Sequence, residues 1–338
     1  MDEVDLVFGN VDKPRLVQQI VEWRGEHAVP CAIGDEADYI SPRIGRTRAM
    51  VKIQEGCNQV CAYCIVPKVR GRERSIPTEA LVGEIQLLAA KGYKEVVLTG
   101  TQLGSYGFDL VGASLGLLIA TILSRCNIER LRVSSLQPRE ITDDLLALWS
   151  DKRLCPHFHM PLQSGSNSIL RMMRRRYTAE DYVETVKRIR ERIPQASITA
   201  DVIVGFPGET DADFRATYEL CESIGFADLH MFPYSMRPGT SAAYYDDQLE
   251  FPAKSERMHA LLNLGKSMAN QFRQGSLGTV RSVLWESQIA DEGAIQWTGL
   301  TDNYIRVKSK SNLPLLNVIA PAMLASLDVE GTVRAEIV

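Results

Sequence analysis

From residue 50 onward, short β-branched runs alternate with stretches whose apolar residues recur at helical spacing. The runs 51–55, 95–99, 130–134, 157–161, 197–204 and 228–232 read as strands. Between the first two, residues 78–91 carry Leu81, Ile85 and Leu88 at steps of four and three, which places them on one helical face. Thr178 with Asp181, and Thr210 with Asp213, have the spacing of a capping box, so a helix over 178–192 and another after Thr210 are predicted. Six strand–helix units in series imply an α/β fold: a parallel sheet with right-handed crossovers, curled or barrel-like. Ligands of such sheets gather where strands end and loops begin.

The period changes after about Arg273. Gly275, Gly278, Gly293, Gly299 and Gly331 punctuate the short runs 279–285, 294–297, 304–308 and 331–337, the pattern of a small all-β barrel. A helix over 252–272 is the connector. At the other end, residues 1–49 offer one strand (5–7), one helix (13–23) and a loop, which is too little for a core. The expected division is therefore 1–49, 50–272 and 273–338.

Composition narrows the partners. A net charge of −4 gives no global case for nucleic acid, so any RNA contact must come from local patches. One such patch is residues 43–74, with eight basic side chains against two acidic ones, Glu55 and Glu73. Arg171, Arg174, Arg175 and Arg176 form a second, which a solvated helix face would explain as well. The start of the chain places Asp2, Glu3 and Asp5 where a secretory leader would be basic. No run of about 18 apolar residues exists, and the longest, 313–327, is broken by Pro314 and Pro321. A cytoplasmic protein without membrane contact is expected. Of the seven cysteines, three fall within eight residues, which in a reducing compartment argues for metal rather than disulfides.

Those three are Cys57, Cys61 and Cys64, directly after the first strand. Thiolates are the standard ligands of iron–sulfur clusters. Three of them on a four-iron cluster leave one iron open to a small molecule. The alternative is zinc, which usually takes a fourth protein ligand; the next histidine after the motif is His157. Cys126 and Cys221 sit in helical patterns and Cys155 in a pre-strand loop, positions that suit buried free thiols.

The CxxxCxxC spacing, with Tyr63 just before the third cysteine, resembles the radical S-adenosylmethionine (SAM) superfamily. That resemblance implies a partial (βα)6 barrel, a [4Fe-4S] cluster on Cys57, Cys61 and Cys64, and SAM chelated on the open iron. It also implies cleavage of SAM to a 5′-deoxyadenosyl radical, chemistry that needs no side-chain base or nucleophile, so no catalytic side chain is singled out. Further motifs end successive strands: Leu98-Thr99-Gly100-Thr101-Gln102, Ser134-Ser135-Leu136-Gln137-Pro138, Pro161-Leu162-Gln163-Ser164-Gly165-Ser166, Ala200-Asp201-Val202-Ile203-Val204-Gly205-Phe206-Pro207-Gly208-Glu209 and Phe232-Pro233-Tyr234-Ser235-Met236-Arg237-Pro238-Gly239-Thr240. The last three closely resemble the methylthiotransferase family. By that resemblance Gly100, Thr101, Ser135, Gln163, Asp201 and Arg237 line the barrel mouth around SAM and target.

The run Gly299-Leu300-Thr301-Asp302-Asn303-Tyr304 is similar to the RNA-holding TRAM domain of the same family. Residues 273–338 hold six basic and seven acidic residues, so RNA contact there rests on resemblance rather than charge. Family members also carry a second, auxiliary [4Fe-4S] cluster on three N-terminal cysteines, the presumed point of sulfur delivery. Here only Cys31 precedes Cys57, and residues 1–49 resemble the tail of that domain, a truncated remnant. Lys52-Ile53-Gln54-Glu55-Gly56-Cys57 and Arg132-Val133-Ser134-Ser135-Leu136 read closest to the branch that methylthiolates carbon 2 of N6-threonylcarbamoyladenosine at position 37, in the tRNA anticodon loop. Isopentenyladenosine-37, an aspartate of a ribosomal protein, and a catalytically incomplete RNA-binding module are the alternatives. An electron donor of the flavodoxin or ferredoxin class is implied.

Overall fold

The computed structural model describes residues 8, 12, 15–24, 47–291 and 294–338. The strand expected at 5–7 and Cys31 lie outside the described residues. Helix α1 (Leu16–Arg24) stands close to the helix expected over 13–23.

The chain then enters β1 (Arg48–Glu55), the one-turn α2 (Val66–Val69), β2 (Arg74–Ser75), α3 (Thr78–Ala90), β3 (Glu95–Gly100), α4 (Leu115–Arg125), β4 (Arg130–Val133) and α5 (Asp143–Ala147). It continues through β5 (His157–His159), α6 (Asn167–Met172), α7 (Ala179–Arg192), β6 (Ser197–Val204), α8 (Asp211–Ile224), β7 (Asp228–Pro233) and the long α9 (Phe251–Gly275). Strands β1, β3 and β4 pair in parallel, with β2 antiparallel on the outer edge of β1. Strands β5, β6 and β7 form a second parallel set. Single bridges, Leu131 to Leu154 and Ser135 to His159, join the two sets into one curled half-barrel.

Alternation along each strand decides what the curl encloses. On β6, Ile198, Ala200 and Val202 turn outward into the same core as Tyr182, Val186 and Ile189 of α7. The intervening Thr199, Asp201 and Ile203 are left to the concave face. Both predicted capping boxes form, Thr178 with Asp181 at α7 and Thr210 with Asp213 at α8. Among the described residues no helix is long and apolar enough to cross a membrane.

A closed barrel follows: β8 (Val280–Asp291), β9 (Ala294–Thr301), β10 (Arg306–Lys310), β11 (Ile319–Leu327) and β12 (Val333–Ile337), in the order β10-β12-β11-β8-β9. Trp285, Trp297, Val307 and Leu324 fill its core. Strand β11 lies in the apolar run 313–327, outside the four short runs read as strands. In the fold Pro321 is tolerated within β11, and Ala322 and Leu324 point inward. Strand β10 begins two residues later than the run 304–308 suggests, because Tyr304 turns the chain with φ 71.

The small barrel is fastened to the N-terminal ends of β1, β3 and β4. Glu95, with a fully buried side chain, pairs with Arg132 at 2.8 Å and Arg130 at 3.4 Å. The same guanidiniums donate across the seam to the carbonyls of Leu300 (3.1 Å), Asp302 (3.0 Å) and Ser282. Arg48 adds an ion pair to Glu286 at 2.6 Å, and Tyr304 stacks on His157 with centroids 4.2 Å apart. The opposite, C-terminal strand ends are thereby left free.

Candidate active site

At the free rim, β1 ends in Gly56, whose φ of +77 only glycine adopts readily. A Cβ there would lie 2.0 Å from the Arg72 carbonyl oxygen. The loop folds back at this point: the Cys57 amide donates to the Gly71 carbonyl (3.2 Å) and the Asn58 amide to Glu73 Oε1 (3.0 Å). Its middle is pinned by the Ala62 amide on the Met173 carbonyl (3.0 Å) and by Ala62 packing among Ile169, Phe206 and Tyr234. Cys57 is buried, while Cys61 and Cys64 are half-buried.

Burial pushes the Cys57 thiol up to about 11, against the Gln59 amide that bonds its sulfur, and burial also raises Cys64. Such thiols need positive charge to bind as thiolates. Arg175 supplies some: its guanidinium lies 3.4 Å from Cys61 Sγ and 4.9 Å over the Tyr177 ring. Burial works against its charge, but Tyr177, Tyr63 and Cys61 outweigh that and raise its proton affinity.

A cavity of about 420 Å³ opens beside the loop, a size suited to a small-molecule cofactor. Tyr63, Cys64, Gln163, Asp201, Phe232 and Arg237 are among its walls. Gln163 takes a strained φ of 67, held by its amide on the Asp201 carbonyl (2.8 Å) and by the Ile203 amide on its own carbonyl (2.9 Å). Strand β5 ends at His159, two residues earlier than the run 157–161 suggests.

Gly100, Thr101 and Ser135 stand at the same rim but do not line this cavity. Gln54 explains the glycine: its Oε1 accepts from the Thr101 amide (3.0 Å) and the Gln102 amide (2.9 Å), while its Nε2 donates to the Gly56 carbonyl (2.9 Å). A Cβ on residue 100 would crowd the Gln54 carbonyl oxygen at 3.0 Å. Gln54 thus ties the second strand end to the cysteine loop. Thr101 Oγ1 is buried without a protein partner. Ser135 sits on the bridge to His159 that closes the curl.

Sequence reading missed two histidines. Asp201 accepts hydrogen bonds from His159 Nε2 and His230 Nδ1, each at 3.2 Å. His159 Nδ1 is held by Thr199 Oγ1 at 2.9 Å. Burial alone would raise the Asp201 carboxyl, yet the two imidazoles hold it well below the usual carboxylate range. Asp201 in turn raises the proton affinity of His230. Two imidazoles and a carboxylate are also a metal-ligand set. Here both N···O contacts have ordinary hydrogen-bond lengths. The signal was present as polar residues at alternate strand positions, but only the register of three strands brings them together.

Exposed Lys68, Arg70, Arg72 and Arg74 follow the cysteine loop, and exposed Arg171, Arg174 and Arg176 flank Arg175.

The family model of the Radical SAM superfamily matches residues 51–221. The chain is 36% identical over 328 residues to the threonylcarbamoyladenosine tRNA methylthiotransferase MtaB of Bacillus subtilis, covering 94% of this chain and 72% of that protein. It is 39% identical over 316 residues to the protein of the same name from Aquifex aeolicus, covering 91% and 75%. A tRNA-2-methylthio-N(6)-dimethylallyladenosine synthase of Pelotomaculum thermopropionicum is 40% identical over 293 residues, covering 84% and 65%. Among solved structures, coproporphyrinogen III oxidase from Escherichia coli aligns with a TM-score of 0.49 at 13% identity, covering 75% of this chain and 67% of that one. With its curled parallel sheet, its rim of three cysteines and its C-terminal barrel, the chain belongs to the radical SAM methylthiotransferase family.

Proposed function

We propose that the chain methylthiolates carbon 2 of N6-threonylcarbamoyladenosine at position 37 of tRNA, using SAM and a [4Fe-4S] cluster held by Cys57, Cys61 and Cys64. The observation that carries this is the placement of Cys64, Gln163, Asp201 and Arg237 around one cavity beside the three thiols. Two relatives named for this nucleoside support the substrate. Cluster and SAM together supply a 5′-deoxyadenosyl radical when bound.

The side chains do the rest by position. Arg175 balances the negative charge of the thiolates, and the Gln54 clamp sets the loop against the second strand end. Gln163, Asp201 and Arg237 face the cofactor, and Tyr63 and Phe232 keep water from it. Gly100, Thr101 and Ser135 hold the rim to which cofactor and target come. In this reading residues 50–272 are the catalytic unit. The barrel of 273–338 and the exposed arginines beside the cysteine loop grip the RNA, and a flavodoxin- or ferredoxin-class protein delivers electrons. Sulfur delivery by an auxiliary cluster is not assigned to these residues.

Cys61→Ala is expected to abolish both iron incorporation and 5′-deoxyadenosine production; retention of either would remove Cys61 from the ligand set. Mass spectrometry of tRNA nucleosides from a methylthiotransferase-deficient bacterium tests the substrate. A methylthio group on threonylcarbamoyladenosine supports it, and one on isopentenyladenosine moves the chain to the sister branch, for which the Pelotomaculum relative is named. Activity on neither leaves a ribosomal-protein aspartate or an inactive RNA-binding module.

A further inference from the structure

We infer that His230, seated on Asp201 beside His159, is a specificity-determining residue that receives the carboxylate of the target nucleoside. This rests on the proposed function, since it identifies what in the threonylcarbamoyl group is read.

The geometry begins with Asp201, which belongs to two groups at once. It lines the cavity next to Cys64 and Arg237, and it accepts from both imidazoles at 3.2 Å. His230 is its direct partner across the β6–β7 register. The imidazole pair is therefore continuous with the cofactor cavity and lies on the concave face of the sheet. His159 is spent at both ring nitrogens, on Thr199 and Asp201. His230 is not: Nδ1 is tied to Asp201, the side chain is 49% exposed, and Nε2 has no protein partner among the described residues.

Charge points the same way. Among the described residues that line the cavity Asp201 is the only acidic one, and it is already engaged by two imidazoles. Asp201 and Asp228 both favour the protonated form of His230, although partial burial opposes it. An imidazolium with one nitrogen anchored presents the other as a fixed N–H donor, and Arg237 offers a second cation in the adjoining cavity. An anion entering here meets donors that no protein carboxylate has claimed.

The chemistry of the two candidate nucleosides then separates them. The threonylcarbamoyl group ends in a carboxylate, whereas the dimethylallyl group is hydrocarbon throughout. A desolvated carboxylate without a donor is costly. Conversely, a hydrocarbon placed against His230 would leave its Nε2–H without an acceptor, the situation that yields strong discrimination in a polar site. SAM also carries a carboxylate, so the test must tell the two sources apart.

The full chain, loaded with iron and sulfide, is titrated with labelled anticodon stem-loops read by fluorescence anisotropy. At position 37 the loops carry threonylcarbamoyladenosine, its carboxyl methyl ester, isopentenyladenosine or adenosine. The wild-type chain is expected to bind the acid at least about tenfold tighter than the ester, the lower end for a hydrogen bond to a charged group. His230→Phe and His230→Gln are expected to bind acid and ester alike, with affinity for the adenosine loop and for SAM, measured by calorimetry, unchanged. Equal binding of acid and ester by the wild type, both tighter than adenosine, overturns the inference and leaves the proposed substrate standing. A wild type that prefers isopentenyladenosine overturns both. Loss of SAM affinity in the variants, or an acid preference that survives in them, also overturns the inference. The acid-to-ester comparison needs no variant, so a misfolded His230 substitution does not rescue the idea.

Discussion

Replacing Glu95 with Gln tests the seam between the curled sheet and the small barrel. Glu95 has no solvent-exposed side-chain surface, and its partners Arg130 and Arg132 are 4% and 2% exposed. Both guanidiniums also donate to carbonyls of the barrel, so the carboxylate balances the charge of the two groups that fasten it. Removing one partner of a buried ion pair costs about 3–5 kcal/mol, because the remaining charge stays buried. Gln keeps one acceptor oxygen, which places E95Q near the lower end, about 3 kcal/mol. At about 2–4 °C per kcal/mol for a unit of this size, the first melting transition should fall by about 6–12 °C. Calorimetry at pH 7 reads this directly. Burial opposes the charge on Glu95, but Arg132 and Arg130 outweigh it and lower its pKa. Its contribution is therefore complete above the unfolded carboxyl pKa, about 4.3, and is lost as pH falls through the lower folded value. The difference between wild type and E95Q should narrow below about pH 4. A variant that melts within about 2 °C of wild type at pH 7 would refute the reasoning. So would an E95Q/R132M double variant less stable than E95Q alone, since removing the stranded charge should restore stability.

Gly56→Ala should leave the chain folded but unable to retain iron, because its Cβ would meet the Arg72 carbonyl at 2.0 Å. The local cost is about 2 kcal/mol or more, from the left-handed backbone and the clash together. Iron and sulfide content per chain is the readout. Gly83→Ala in α3, where a Cβ meets nothing within 4 Å, serves as the control and should stabilise by about 0.5–1 kcal/mol; iron loss in both variants would sink the account. RNA binding should weaken steeply with salt. About four phosphate contacts give a slope of about −3, or roughly 50- to 150-fold between 50 and 200 mM. Changing Arg70, Arg72 and Arg74 to Gln should flatten that slope by about 2–3, and an unaltered slope would place the RNA elsewhere.

The fold was legible wherever a local pattern carried it. The strand run 197–204 and the capping boxes at Thr178 and Thr210 depend on neighbours within a few residues, and they appear in the structure as read. Boundaries set by tertiary contact were not legible. Strand β1 starts at Arg48, three residues earlier than its apolar run suggests, where Arg48 meets Glu286 across the seam. Strand β11 escapes the sequence reading altogether: its apolar run enters there only as a membrane-span candidate, whereas in the barrel it carries Pro321 within the strand. The site divides in the same way. The cysteine spacing is a local motif, but Arg175 reaches Cys61 from 114 residues away, and Asp201 gathers His159 and His230 from flanking strands. Such groupings exist only once strand register is known.

The curl stops at β7 on one side and at the two-residue β2 on the other, with no strand between them among the described residues. The cavity is bounded across that opening by the cysteine loop on one flank and by β6 and β7 on the other. For a small metabolite this would be a missing wall. For a nucleotide that arrives on a folded RNA, it is a doorway the cargo itself can shut. On the proposed function, the idle enzyme stays permeable to water and oxygen, and a tight enclosure forms only around a loop of the right shape. Proofreading and protection of the radical would then be one event, and a poorly fitting RNA would be rejected by failing to make the vessel watertight.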